Sequence, residues 1–182
     1  LDRDPTVQPR AEELREKYKN RFEFRAGKFG NFAELVSENI DGAVFDIGVS
    51  SMQIDEANRG FSFSKEAPLD MRFDMDSDFS AYDVINGYKE DELVKIFSEY
   101  GEERFSKRIA KAIINKRTQS PIKTTTELAE LIVNSTPHIK SSIHPATRVF
   151  QAVRIEVNGE LKNVKKVLTD VLEILEIGRA HV

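Results

Sequence analysis

The stretch spanning residues 41–75, DGAVFDIGVSSMQIDEANRGFSFSKEAPLDMRFDM, most constrains what this chain can fold into. Residues 43–47 form an apolar run of strand length, interrupted only by Asp46 and stopped by Gly48, Ser50 and Ser51. An apolar run bounded by turn residues reads as a buried strand. An acid near the carboxyl end of such a strand is costly unless it is paired or meets a ligand. In open α/β sheets, that end of the strands is where ligands bind. The residues that follow are dense in Asp, Arg, Phe and Gly, a mixture that a core does not need.

The order of elements around this stretch predicts an α/β fold. Leu1-Asp2-Arg3-Asp4-Pro5 reads as the end of a strand and a turn. Pro5 and Pro9 are tolerable only near a helix start, so a helix follows with its body at 11–19. Residues 21–26 alternate charged and apolar side chains and predict a strand. Gly27 and Gly30 flank a turn carrying Phe29, and 32–38 predicts a short helix before the 43–47 strand. Strands alternating with helices predict a parallel sheet with crossover helices.

Beyond Ser51 the pattern changes. Residues 53–78 read as a loop, with Gly60, Pro68 and many Asp. Ser80 can cap a helix that runs to Ile85. Residues 89–100 place Leu93, Ile96 and Phe97 on one face, and 102–117 do the same with Phe105, Ile109, Ala112 and Ile113. The threonines at 124–126 cap a helix over 127–134, and 144–176 offers long helical patterning with Phe150, Val153, Val157 and Leu161 in register. The expected organisation is therefore a partial α/β domain at 1–57, a helical insertion at 58–143 and a returning helix at 144–176.

Composition bounds the function classes. The chain has 182 residues, 40% of them apolar and 32% charged, so it can build a core, and its length suits one domain or one domain with an insertion. No apolar run approaches the roughly 18 residues of a membrane span, so no membrane partner is expected. With no cysteine there is neither a disulfide nor a thiolate metal site. The three histidines, at 138, 144 and 181, are scattered, so no metal site is expected. A formal net charge of −4 means that any nucleic-acid affinity must come from a local patch. Both ends read as those of a fragment: there is no initiator Met, and residues 177–182 break the helical pattern and match one reading frame of a common sequencing adapter. They are expected to be an artefactual tail.

Several residues are candidates for chemistry, each with a plainer alternative. Asp2 suits a ribose diol, or is a turn acid beside the helix-capping Asp4. Phe29 can stack on an adenine ring, or belong to the core. Asp46 can balance a positive ligand group, and Gln53 offers both donor and acceptor, or sits in a solvated turn. Arg59 and Arg72 can hold phosphates and Phe61 or Phe63 can stack a base; equally, an internal Asp/Arg network can pin a long loop. Residues 104–123 carry seven Lys or Arg and no acid, and Arg104, Lys107, Arg108 and Lys111 fall in one helical row. That row suits a phosphate backbone, or is a solvated face. Arg148 faces a substrate or makes a salt bridge on its helix.

Three blocks carry a family resemblance: Arg59-Gly60-Phe61-Ser62-Phe63, Pro68-Leu69-Asp70-Met71-Arg72, and His144-Pro145-Ala146-Thr147-Arg148 with Phe150-Gln151-Ala152-Val153-Arg154. With the 41–51 stretch they resemble the RsmH (MraW) methyltransferases, which use S-adenosylmethionine to methylate N4 of a cytidine in small-subunit ribosomal RNA. The resemblance implies a Rossmann-like class I methyltransferase sheet, only partly contained in the chain, with an inserted all-helical substrate-recognition domain. It implies cofactor contacts at Asp2, Phe29, Asp46 and Gln53, and substrate contacts among Arg59, Phe61, Asp70, Arg72, Arg104, Lys107, Arg108, Lys111 and Arg148. It further implies ribosomal RNA or the ribosomal subunit as partner, admits a homodimer, and points to the cytoplasm or, for an organellar homologue, the mitochondrial matrix.

The chain departs from related patterns in two places. Glu66-Ala67 stands where such proteins usually carry Asp-Gly. The acid-Pro-Pro-aromatic motif of many amino-methyltransferases is replaced by Asp46-Ile47-Gly48-Val49-Ser50-Ser51. The acceptor for the amine protons therefore stays open among Asp46, Ser50 and the acids of 70–74. Because the glycine-rich cofactor loop and the final strands are expected to lie outside the chain, the fragment alone is expected to be inactive. A Rossmann-like methyltransferase on another substrate and a catalytically inactive RNA-binding module are the alternatives.

Overall fold

A computed structural model of the chain describes residues 1–137 and 142–176, without the side chains of 51 and 52. His138, His181 and the 177–182 tail lie outside the described residues. The helices are α1 (Gln8–Tyr18), α2 (Phe32–Leu35), α3 (Ser51–Asp55), α4 (Ala81–Gly87), α5 (Glu90–Glu99), α6 (Ser106–Arg117), α7 (Thr125–Ser135), α8 (Thr147–Asn158) and α9 (Glu160–Ile174). A short 3₁₀ turn at Pro5–Val7 precedes α1, and others at Lys19–Arg21, Phe29–Asn31 and Ala57–Arg59 lie between helices.

The partial Rossmann-like sheet expected from the sequence is not there. The described residues hold isolated bridges, Asp2 with Ala26, Ile40 with Leu175 and Pro68 with Thr124, and no β-strand. The expected 43–47 strand is mostly solvent-exposed, Val44 at 96%. The expected 21–26 strand begins inside a 3₁₀ turn and keeps one parallel bridge, supported by Gly27 N donating to Asp2 O at 2.9 Å. The physical reason is that strand pairing is non-local. An apolar run or a period of two reports which side chains favour burial, but a strand persists only beside neighbours that take up its N–H and C=O groups. Helices satisfy those groups within themselves, and they are the elements that form.

The chain divides into two compact units. One comprises residues 1–48, 73–75 and 159–176. Its small core sets Phe32 of α2 against Val167 and Val171 of α9, with Phe29, Val36, Ile40, Phe45 and Ile174 packed around them. The other comprises residues 49–72 and 76–158 and carries the larger core. Leu93, Ile96 and Phe97 of α5, Ile109 and Ile113 of α6, Leu128 and Ile132 of α7, and Val149 and Val153 of α8 are all buried there. Truncating Phe97, which is fully buried, is expected to cost about 3–5 kcal/mol.

Local chemistry explains where these helices start and stop. At α4 the Asp83 carboxylate accepts from Ser80 N at 2.8 Å and Ser80 Oγ at 2.6 Å. At α7 a capping box closes: Glu127 N donates to Thr124 Oγ1 at 3.3 Å, and Glu127 Oε2 accepts from Thr124 N at 3.1 Å. The last turn of α4 is closed by Arg117, whose guanidinium donates to Ile85 O at 2.7 Å and Tyr88 O at 2.5 Å. Burial of that guanidinium lowers its pKa from the usual value. The long helical pattern of 144–176 breaks at Gly159, whose φ of +57° suits glycine and separates α8 from α9.

Candidate substrate and cofactor residues

The amino-terminal turn is built from its own acids. Asp2 Oδ1 accepts from Asp4 N at 2.9 Å, and Asp4 Oδ1 accepts from Thr6 N at 2.9 Å and Thr6 Oγ1 at 2.7 Å. Asp4 is buried and caps the Pro5–Val7 turn, while Asp2 stays exposed. Arg3 lies between them with its guanidinium 5.0 Å from the centre of the Phe73 ring. Burial lowers the Arg3 pKa, against the pull of Asp74, Glu160, Asp2 and Asp4. In the same unit Phe29 is half-buried and packs on the small core. Asp46 is exposed.

Gln53 lies in the other unit and is buried. Its Oε1 accepts from Ser50 N at 3.0 Å, while Gln53 N donates to Ser50 Oγ at 3.2 Å. This is a reciprocal Ser-x-x-Gln box at the start of α3, and that spacing was readable in the sequence.

The 59–72 loop is held from both ends. Gly60, at φ +70°, has no room for a side chain, because a Cβ there would meet Pro68 O at 2.3 Å. Thr125 N donates to Ala67 O at 2.9 Å, and Leu69 N donates to Lys123 O at 3.1 Å, so the loop lies along the start of α7. Asn158 Nδ2 donates to Met71 O at 2.7 Å, which joins the loop to the end of α8.

Within this loop the arginines serve the protein itself. Arg72 Nε and Nη2 donate to the two oxygens of Asp70, at 2.9 and 2.7 Å. Its Nη1 donates to Ser77 O. Arg59 is buried, donates Nη2 to Arg72 O at 3.0 Å, and lies over the Phe61 ring at 5.7 Å. Burial pushes the Asp70 carboxyl up, but the side-chain and backbone hydrogen bonds from Arg72 outweigh it and leave the pKa below the ordinary value.

The basic row is laid out differently. Arg104, in the turn before α6, and Lys107, Arg108 and Lys111, on the side of α6 away from buried Ile109, Ala110 and Ile113, are all exposed. Arg117, from the same basic stretch, is the internal cap described above. Near the start of α6 a cavity of about 190 Å³ is lined by Glu103, Arg104, Phe105, His144 and Arg148, among others. Glu103 is buried, and its Oε1 accepts from Phe105 N at 2.7 Å. Arg148 Nη1 donates to Glu102 O at 2.5 Å. Arg104 and Arg148 are candidates from the sequence, whereas an acid next to a basic row, such as Glu103, gives no sign of burial.

The chain is similar to known proteins along nearly its whole length. Residues 1–182 match the MraW methylase family. This chain belongs to that family. The ribosomal RNA small subunit methyltransferase H of Caldicellulosiruptor bescii is 49% identical over 182 residues, covering 98% of this chain and 59% of the relative. The protein of the same name from Clostridioides difficile is 45% identical over 184 residues, with the same shares. That of Brevibacillus brevis is 43% identical over 181 residues, covering 96% of this chain and 58% of the relative. This MraW-family chain thus spans a little under three-fifths of the length of these relatives.

Proposed function

We propose that this chain supplies the substrate-binding helices and part of the cofactor site of an S-adenosylmethionine-dependent methyltransferase acting on N4 of a cytidine in small-subunit ribosomal RNA. The observation that carries this reading is identity of 43–49% across nearly the whole chain with relatives named as small-subunit ribosomal RNA methyltransferases.

The residues present are compatible with the cofactor. Exposed Asp2 suits ribose hydroxyls, and exposed Asp46 suits a cationic ligand group. Phe29 offers a partly exposed ring, and Gln53 is held in place by Ser50. When bound, S-adenosylmethionine supplies an electrophilic methyl group. The chain's task is to hold the RNA so that a weakly nucleophilic exocyclic amine is oriented for attack. A carboxylate or hydroxyl must also receive the amine's hydrogens.

For RNA, the arginines of the 59–72 loop are engaged with Asp70, Ser77 and Arg72, whereas the row on α6 is turned to solvent. The row is therefore the better placed phosphate contact, and Arg59 and Arg72 hold the loop. The reading is tested by binding small-subunit RNA to the wild-type chain and to a variant with Gln at 104, 107, 108 and 111. Weaker binding with a shallower salt slope supports it; identical curves would contradict it.

A further inference from the structure

We propose that Asp74 selects the base of the cofactor, its carboxylate accepting from the exocyclic N6 amine of the adenine that Phe29 stacks. The inference rests on the S-adenosylmethionine reading above and adds a specificity-determining residue to it. No part in methyl transfer is assigned to Asp74.

Three separate segments of one unit converge here. The turn at Asp2 and the turn that carries Phe29 lie side by side, because Asp2 bridges Ala26 and Gly27 N donates to Asp2 O at 2.9 Å. The third segment is 73–75, which belongs to this unit although the loop on either side of it does not. It touches both turns. The Phe73 ring centre lies 5.0 Å from the guanidinium of Arg3, the residue after Asp2. Asp74 Oδ2 lies 3.5 Å from Nζ of Lys28, the residue before Phe29. Asp74 also leads the acids that act on Arg3, ahead of Glu160, Asp2 and Asp4. Its carboxylate is thus bracketed by the acid suited to the ribose diol and the ring suited to the base.

The chemistry of adenine fits that place. Its N6 amine is a donor, and a carboxylate accepts from an exocyclic amine as Glu and Asp do from cytosine N4. The turn at 26–31 brings an aromatic ring but no acid, so an acceptor for the amine has to come from elsewhere in the chain. Asp74 keeps 31% of its side chain exposed, so a ligand can reach it. Glu160, the other acid that acts on Arg3 from outside the amino-terminal turn, is buried. A carboxylate has about four acceptor positions, so the Lys28 contact and an amine can be held together.

The test uses a chimera in which residues 1–176 replace the matched stretch of the Caldicellulosiruptor bescii relative. It is titrated calorimetrically with S-adenosylhomocysteine and with S-inosylhomocysteine, whose base carries a carbonyl oxygen in place of the N6 amine. S-adenosylhomocysteine is expected to bind at least about ten-fold more tightly, the effect of one charge-assisted hydrogen bond. Asp74→Asn is expected to lose that preference, because an amide donates to the carbonyl as readily as it accepts from the amine. Lys28→Gln keeps the carboxylate and is expected to keep the preference. Thermal unfolding of both variants should stay close to wild type, since the pair they break is partly exposed. Equal binding of the two compounds by wild type, or an undiminished preference in Asp74→Asn, would overturn the assignment. If S-adenosylhomocysteine binds without discrimination, Asp74 loses its role and the cofactor reading stands. If neither compound binds, both fail.

Discussion

Asp70 and Arg72, two positions apart, grip each other through both carboxylate oxygens, and Arg72 N adds a third bond to Asp70 Oδ1 at 3.0 Å. Because Asp70 has a lowered pKa in the folded chain, the stability it contributes is present above the unfolded value near pH 3.9 and is lost as pH falls through the folded value. Asp70→Asn is expected to cost about 1.5–3 kcal/mol at neutral pH, by leaving Arg72 without its anion. The variant should also lose less stability than wild type on acidification below about pH 4. Denaturant unfolding across pH checks both; parallel pH curves would show that the pair contributes nothing.

Gly60 tests how tightly the same loop is packed. Gly60→Ala places a methyl group within 2.3 Å of Pro68 O, on a residue at φ +70°. Backbone cannot yield as a flexible side chain does, so a loss of roughly 1–3 kcal/mol is expected. Thermal unfolding is the readout, and unchanged stability would mean that the loop gives way freely.

The basic residues of 104–123 divide into two kinds. Gln at 104, 107, 108 and 111 should leave stability within about 0.5 kcal/mol, because exposed positions tolerate change. The same variant should make the slope of log affinity against log salt for RNA shallower by up to about 3 units, at roughly 0.7 for each single-strand phosphate. Arg117→Gln should do the reverse, costing about 1–3 kcal/mol of stability by releasing Ile85 O and Tyr88 O, with little effect on the salt slope.

Much of the helical unit was legible in the sequence. Ser80, the Thr124 and Glu127 box, and the apolar faces carrying Leu93, Phe97, Ile109 and Ile113 are local signals, and local hydrogen bonds and packing honour them. The sheet was misread because 43–47 and 21–26 carry strand-like patterns whose pairing depends on distant chain. The site was partly legible. Arg59 and Arg72 were seen as either phosphate ligands or a loop network, and spacing cannot tell whether an arginine faces Asp70 or solvent. Glu103 and the capping role of Gln53 were not seen as such.

The cofactor contacts are open to calorimetry. In a chimera that places residues 1–176 in the matched stretch of the Caldicellulosiruptor bescii relative, Asp2→Ala and Asp46→Ala should each weaken S-adenosylmethionine binding by roughly 1.5–3 kcal/mol. Asp46 is exposed, so its replacement should leave folding little affected, while thermal unfolding of the Asp2 variant separates loss of the Asp4 N bond from lost binding. Unchanged affinity in both variants would remove them from the site.

The same chimera gives the most direct measurement: transfer of a labelled methyl group from S-adenosylmethionine to isolated small ribosomal subunits, followed by nucleoside analysis of the RNA. The account predicts label on N4 of a cytidine, reduced when the α6 row is changed to Gln. A folded chimera that leaves the RNA unlabelled under conditions where the relative labels it, or that labels a different atom, would contradict it.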